Sequence, residues 1–126
     1  MKNKVIFYTY PSCTSCRRVK SWFLENGIPF EERHIFKKPP TPEELKHMSI
    51  ISEEGIDSLV SVRSNRYRQL GINHLDMKFS ELLKLLSEEP KLLRRPIVTD
   101  GQQVAVGFNL DMLSLIAKRF KSKKIV

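Results

Sequence analysis

Two cysteines three residues apart, Cys13 and Cys16, stand where a β-branched and aromatic run gives way to helical periodicity. The run Val5-Ile6-Phe7-Tyr8-Thr9 reads as a largely buried strand, and Tyr10-Pro11-Ser12 as the turn that ends it. From Ser15 to Asn26 the residues Cys16, Val19, Trp22 and Phe23 repeat at helical spacing, and Gly27 supplies a C-terminal stop. Pro29 to Ile35 alternates in part and is expected to be a second strand, so the helix becomes the right-handed crossover of a parallel βαβ unit. Two cysteines are too few for a disulfide scaffold, and a zinc site would need two further ligands. His34, His47 and His74 have no metal-ligand spacing to them, so no metal is expected.

Thr41-Pro42-Glu43-Glu44 carries a complete helix-start signal: Thr41 at the N-cap, Pro42 at the first helical position and Glu44 to close a capping box. That helix is expected to reach about Ile51. Short helices follow between Glu53 and Gly71, broken at Gly55 and near Ser64. Ser80 is then read as the cap of a helix with Phe79, Leu82, Leu83 and Leu86 on one face, ending at Glu89-Pro90. Pro96 to Thr99 and Gln103 to Val106 flank Asp100-Gly101, which predicts a hairpin with a type I′ turn. A last helix, Asn109 to about Phe120, presents Leu110, Leu113, Ile116, Ala117 and Phe120 as one stripe. The resulting order, βαβ, helical insert, ββα, is that of a thioredoxin-like α/β domain with a four-stranded mixed sheet. All 126 residues are expected to form one domain: a core from residues 1–36 and 91–120, an insert over 41–89, and a basic tail over 121–126.

Placing Cys13 ahead of a helix sets its sulfur near unpaired backbone N–H groups and the positive end of the helix dipole, and Arg17 and Arg18 add charge nearby. All three favour thiolate over thiol, so Cys13 is the expected attacking sulfur. Cys16, one turn later, can come within the Cα separation of about 4.4–6.8 Å that a disulfide requires, and can resolve an oxidised Cys13. By analogy with thioredoxin-like folds, Arg95-Pro96 at the start of the third strand is expected to be cis and to present Arg95 to the Cys13 sulfur.

The net charge of +8 from 22 basic and 14 acidic residues suggests acidic partners. Five of those cations lie in the last nine residues, which contain no acid, so residues 1–117 carry only +3. No apolar run approaches the roughly 20 residues needed to span a bilayer, and no signal-like stretch precedes the first strand. A cytoplasmic protein with no membrane contact is expected.

Further blocks follow the cysteine motif in fixed order: Tyr10-Pro11-Ser12-Cys13-Thr14-Ser15-Cys16-Arg17, Pro29-Phe30 with Glu32-Arg33, Glu54-Gly55-Ile56-Asp57, Val62-Arg63-Ser64, Leu92-Leu93-Arg94-Arg95-Pro96-Ile97 and Val106-Gly107-Phe108-Asn109. In these the chain resembles the ArsC/Spx family, and within it the Spx/MgsR-type transcriptional regulators, from residue 4 to about 118. The arsenate reductases of that family pair a nucleophilic cysteine with three arginines, because guanidinium forks hold oxyanions bidentately. Arg63 and Arg95 match two of them. Where the third would fall the sequence reads Val104-Ala105-Val106-Gly107-Phe108-Asn109, and the second cysteine at Cys16 also departs from the reductase pattern.

The resemblance therefore implies a regulator rather than an enzyme, without a cofactor, that binds the C-terminal domain of the RNA polymerase α subunit and is switched by a Cys13–Cys16 disulfide. It assigns the polymerase contact to Gly55, for which a helix terminator is the competing reading, and places Arg63 and Arg95 in the thiolate environment, to which Arg17 belongs by nearness and Pro96 by the thioredoxin-like analogy. Arg66 and Arg68, with Arg63, mark the insert as the part approaching promoter DNA within a polymerase complex, against the plainer reading of a solvated helix face. The resemblance also brings in protease-adaptor control, known in the family, although Lys123-Lys124-Ile125-Val126 matches no signal for it. The alternatives are an arsenate reductase or glutaredoxin-like oxidoreductase using Cys13, and direct DNA binding, for which no helix-turn-helix pattern is present.

Overall fold

The computed structural model describes residues 4–125, with side chains placed through residue 122; Met1–Asn3, the Lys123-Lys124-Ile125 side chains and Val126 lie outside the described residues, and with them the terminus considered for protease control. Strands β1 (Ile6–Thr9), β2 (Glu31–His34), β3 (Ile97–Thr99) and β4 (Val104–Val106) form a mixed sheet in the order β2-β1-β3-β4. β1 runs parallel to β2 and antiparallel to β3, and β3 antiparallel to β4. Helix α1 (Thr14–Glu25) makes the crossover from β1 to β2. The insert contains α2 (Pro42–Ile51), α3 (Asn65–Leu70) and α4 (Phe79–Glu88), joined by short 3-10 turns, and α5 (Leu110–Ile125) follows the sheet.

Side-chain alternation assigns each face of the sheet to a different set of helices. Phe7, Val98 and Ala105, aligned across β1, β3 and β4, pack with Cys16, Val19 and Phe23 of α1 and Leu113 and Ile116 of α5. One residue along, Tyr8, Ile97 and Val104 join Leu45 and Met48 of α2 and Leu82, Leu83 and Leu86 of α4. The central strands are thus covered on both sides, which explains why β1 and β3 read as continuous apolar runs.

Arg33 ties the start of the insert to the sheet. Arg33 lies opposite Tyr8 in the β1–β2 register, and only 9% of it is exposed. Its guanidinium sits 4.7 Å from the Tyr8 ring centre and donates from Nη1 to the Tyr8 hydroxyl at 3.1 Å. The same group donates to both carboxylate oxygens of Glu44, at 2.9 and 3.2 Å, and to the Pro39 carbonyl at 3.2 Å. Glu44 also completes the capping box expected at Thr41: its Oε1 accepts from Thr41 N–H at 2.9 Å, and Thr41 Oγ1 accepts from Glu44 N–H at 3.1 Å.

Several local expectations are corrected. Ser80 is not a cap: α4 starts at Phe79 after Lys78, which offers no side-chain cap, so Ser80 lies within the first turn. Phe79 is 43% exposed and leaves the face carried by Leu82, Leu83 and Leu86. Leu110 is likewise 48% exposed, and α5 continues to Ile125 instead of ending near Phe120, so the basic residues expected as a tail ride on helix. The hairpin is not type I′. Such a turn needs positive φ at both central residues, whereas Gly101 (φ +89°) is the only residue of the loop to adopt it, and the loop spans 100–103. The buried Asp100 carboxylate organises it, accepting from Gln102 and Gln103 N–H at 2.9 Å each through Oδ1, while Arg119 donates to Oδ2 at 3.2 Å.

Replacing Arg33 with Met should lower stability by about 2–3 kcal/mol, less than a fully buried pair would lose because the Glu44 carboxylate reaches solvent. Burial acts to raise the Glu44 carboxyl, but the Arg33 hydrogen bond, the Thr41 cap and the Arg33 charge together hold it below its ordinary value. A carboxyl lowered in the folded state stabilises above its unfolded value and loses that contribution as pH falls through the folded one. Urea denaturation at pH 7 and across the acid range should therefore show a shallower acid loss in Arg33→Met than in the parent protein.

Candidate redox site

Cys13 is the N-cap of α1, in extended conformation with φ −88° and ψ 124°. Its sulfur accepts a hydrogen bond from the Cys16 N–H at 3.3 Å, so a helix-terminal donor points at the sulfur as the sequence implied. Cys13 is half-buried and Cys16 fully buried, and both are free thiols. Burial first, then the hydrogen bond to Cys13, push the Cys16 thiol up to about 11. The pair is chemically unequal: an accessible sulfur at a helix N-terminus, and an inner thiol that keeps its proton.

The insert completes the surroundings of Cys13. A cavity of about 600 Å³ is lined by Cys13, by Ser61, Val62 and Arg63 of the insert, by Leu93, Arg94 and Arg95 before β3, and by Val106 and Gly107 at the end of β4. The Arg95–Pro96 bond is cis. Backbone bonds clamp the two cationic segments together: Ser61 N–H donates to Leu92 O at 2.7 Å, Arg94 N–H to Leu59 O at 2.9 Å, and Val60 bridges to Leu93. Arg95 stacks over Phe36, with its guanidinium carbon 5.2 Å from the ring centre.

The arginines do not all fall where the sequence suggested. Arg17 is turned to the Pro11 carbonyl (3.0 Å) and Thr14 hydroxyl (3.4 Å), and Arg18 lies 4.1 Å over the Phe108 ring. Arg63 and Arg95 do line the Cys13 cavity, and Arg94, overlooked in the sequence, joins them while donating to the Val60 carbonyl at 3.2 Å. Its signal was the Arg94-Arg95-Pro96 tripeptide itself, in which the first arginine was passed over for the second. Arg66 is held bidentately by Glu89 at 2.8 and 2.9 Å, and Arg68 donates to the Arg63 carbonyl at 3.0 Å.

Gly55 is not the terminator of α2, which ends at Ile51 with Ser52 already extended. With φ +67° it opens the next 3-10 turn, Gly55–Ser58. That turn is tied to α3 by a polar relay missed at the sequence level: His74 bridges the Asp57 carboxylate (Nε2, 3.0 Å) and the Tyr67 hydroxyl (Nδ1, 2.8 Å). Since Ser64, the N-cap of α3, follows Arg63 directly, a connected path runs from the Cys13 cavity to the Gly55 turn. Among the described residues no cluster of three or more metal-ligating side chains occurs, and no helix is long and apolar enough to cross a membrane.

A mixed sheet clothed by helices on both faces, with the cysteine pair at the β1–α1 junction and a cis proline at the start of β3, defines a thioredoxin-like protein. The ArsC family pattern matches residues 8–115, and the chain belongs to that family. It is 44% identical over 119 residues to the regulatory protein MgsR of Bacillus subtilis, covering 94% of each chain. It is 40% identical over 121 residues to the global transcriptional regulator Spx of the same organism, covering 96% of this chain and 89% of that one. Among solved structures, an ArsC family related protein from Bacteroides fragilis superposes with a TM-score of 0.82 at 30% identity, over 90% and 97% of the two chains. An arsenate reductase from Vibrio cholerae shares the fold at TM-score 0.79 and 22% identity, over 90% and 98%.

The unequal cysteines predict an ordered reactivity. At pH 8, iodoacetamide should label Cys13 alone, as read by mass spectrometry of the intact and digested protein, and Cys16 only after unfolding. Because the Cys16 thiol is raised above its ordinary value of 9.0, its contribution to stability is complete below pH 9 and is lost as pH rises towards 11. Denaturation midpoints should fall over that interval, and fall less in Cys16→Ala.

Proposed function

We propose that the chain is an Spx-type transcriptional regulator that acts by binding the C-terminal domain of the RNA polymerase α subunit, with the Cys13–Cys16 pair as its redox switch. The observation that carries this reading is the near full-length similarity to MgsR and Spx, both named as regulators. The site agrees with it in three respects. Cys13 is accessible and Cys16 is poised behind it, the order a sensing pair requires. Oxidation removes the Cys13 acceptor beside Arg63 and Arg95, and the Tyr67–His74–Asp57 relay carries a change in the insert to the Gly55 turn. Beside that turn, a groove of about 730 Å³ between α2 and α5 combines exposed apolar residues, Ile50 (68% exposed) and Leu115, with the acidic Glu53 and Glu54. It suits a partner with an apolar face and a basic edge.

On this reading promoter DNA is approached only within the polymerase complex. Arg63 and Arg68 are the cations available for it, since Arg66 is neutralised by Glu89. One observation favours a second reading: three arginines, Arg63, Arg94 and Arg95, share the Cys13 cavity, as an oxyanion-reducing or thiol-exchanging enzyme would require. Arsenate or mixed-disulfide turnover well above a Cys13→Ser control would establish that activity.

The deciding experiment is a pull-down with the isolated α C-terminal domain, using fully reduced and fully oxidised protein. Binding that differs between the two states is the expected result; absence of binding in both overturns the proposal. Gly55→Gln should weaken binding tenfold or more. The same strain without the contact is provided by Gly71→Ala, since Gly71 has φ +63° and open space around it. That variant should lose about 1 kcal/mol of stability and keep its affinity.

A further inference from the structure

A cleft of about 960 Å³ lies outside the Cys13 cavity and shares two lining residues with it, Arg63 and Arg95. Tyr10 and Phe36, whose rings pack 4.7 Å apart, line it as well. Its other charges are Lys91 and the Arg66–Glu89 pair, which neutralise one another. Among the described residues no carboxylate pairs with Arg63, Lys91 or Arg95. Arg63 and Arg95 therefore face this space without a carboxylate partner, Lys91 joins them with only the already paired Glu89 near it, and the two arginines also flank the cavity of the accessible sulfur. A cleft of this size takes a molecule of a few hundred daltons. A ligand that satisfies both ends carries carboxylates for the cations and a sulfur for Cys13.

We propose that this cleft binds a small carboxylate-bearing disulfide, the oxidised form of a low-molecular-weight thiol, and presents its sulfur to Cys13. The inference rests on the redox-switch reading above and supplies the class of oxidant. The Cys13 thiolate attacks one sulfur of R–S–S–R; a Cys13–S–S–R bond forms, the original S–S bond breaks, and R–S⁻ leaves and takes a proton from solvent. Cys16 then loses its proton to solvent and attacks the Cys13 sulfur, expelling the second R–S⁻, which is protonated in turn. The protein pair has lost two electrons and the small disulfide has become two thiols. Lys91 and the two arginines bind and orient the carboxylates; they take no part in the exchange.

The test compares three disulfides of different charge on the reduced Cys16→Ser protein, in which the mixed disulfide on Cys13 is trapped and counted by mass spectrometry. Oxidised glutathione carries carboxylates, hydroxyethyl disulfide is neutral and cystamine is cationic. Each rate is divided by that of the same disulfide with the urea-unfolded protein, which removes intrinsic reactivity. Glutathione disulfide should exceed cystamine by about tenfold or more at low salt. The ratio should shrink towards one at 1 M salt and also in Lys91→Glu, a cleft residue remote from the Cys13 cavity lining. A ratio near one, or a ratio unaffected by salt or by Lys91→Glu, overturns the proposal. The neutral disulfide separates this failure from that of the broader reading. If it oxidises the Cys13–Cys16 pair of the parent protein without charge preference, the cleft assignment alone falls; if no disulfide oxidises the pair, the redox switch falls with it.

Discussion

The buried guanidinium of Arg33 is the constraint around which the molecule is organised. A charge at 9% exposure is tolerable only if its donors are used, and Arg33 spends them on three different parts of the chain: the Tyr8 hydroxyl in β1, the Pro39 carbonyl in the β2–α2 connection and the Glu44 carboxylate in the first turn of α2. Its Nε remains without a partner, so the arrangement is held by the Nη fork and the stacking on Tyr8. Because Glu44 also closes the capping box, the start of α2 and its attachment to the sheet are one event. The Ser61–Arg63 segment that faces Cys13 is held separately, by the backbone bonds of residues 59–61 to Leu92, Leu93 and Arg94. The insert is thus fastened to the core at both ends, by Arg33 at α2 and by this clamp before β3.

Elements whose signals are local were legible in the sequence. The Thr41 capping box is satisfied by residues three apart, and Ser64 and Gly71 bound α3 through a side-chain cap and a left-handed residue, so near neighbours alone decide them. The cysteine pair at the β1–α1 junction is of the same kind. Errors arose where tertiary contacts overrule local preference. Asp100-Gly101 has the composition of a tight turn, yet the Asp100 carboxylate is taken by two loop N–H groups and by Arg119, which widens the loop to four residues. Phe79 and Leu110 fit the apolar periodicity of their helices but sit at first turns that project beyond the core. Arg33 carried no sequence signal for its role, since its partners lie 25 and 11 residues away.

The candidate site has the same division. Cys13 and its helix-terminal donor follow from strand, turn and helix, whereas the arginines depended on where the insert folds back. Arg17 was assigned to the sulfur by proximity along the chain, but nearer acceptors, the Pro11 carbonyl and the Thr14 hydroxyl, hold its guanidinium. Arg94 carried no separate signal, because its place depends on contacts 34 and 35 residues away in sequence. The backbone clamp to Leu59 and Val60 brings Arg94 and Arg95 to one cavity.

The unequal burial of the two thiols orders their chemistry. Disulfide exchange needs the attacking sulfur as thiolate, so the thiol that keeps its proton is the later nucleophile of the two. Here the inner thiol is pushed up to about 11, chiefly by burial, so at neutral pH only a minute fraction is thiolate. The first step at Cys13 is open and the second is restrained. On the proposed reading, the Tyr67–His74–Asp57 relay and the clamp at Ser61 and Arg94 are the contacts through which a covalent change at Cys13 would reach the Gly55 turn.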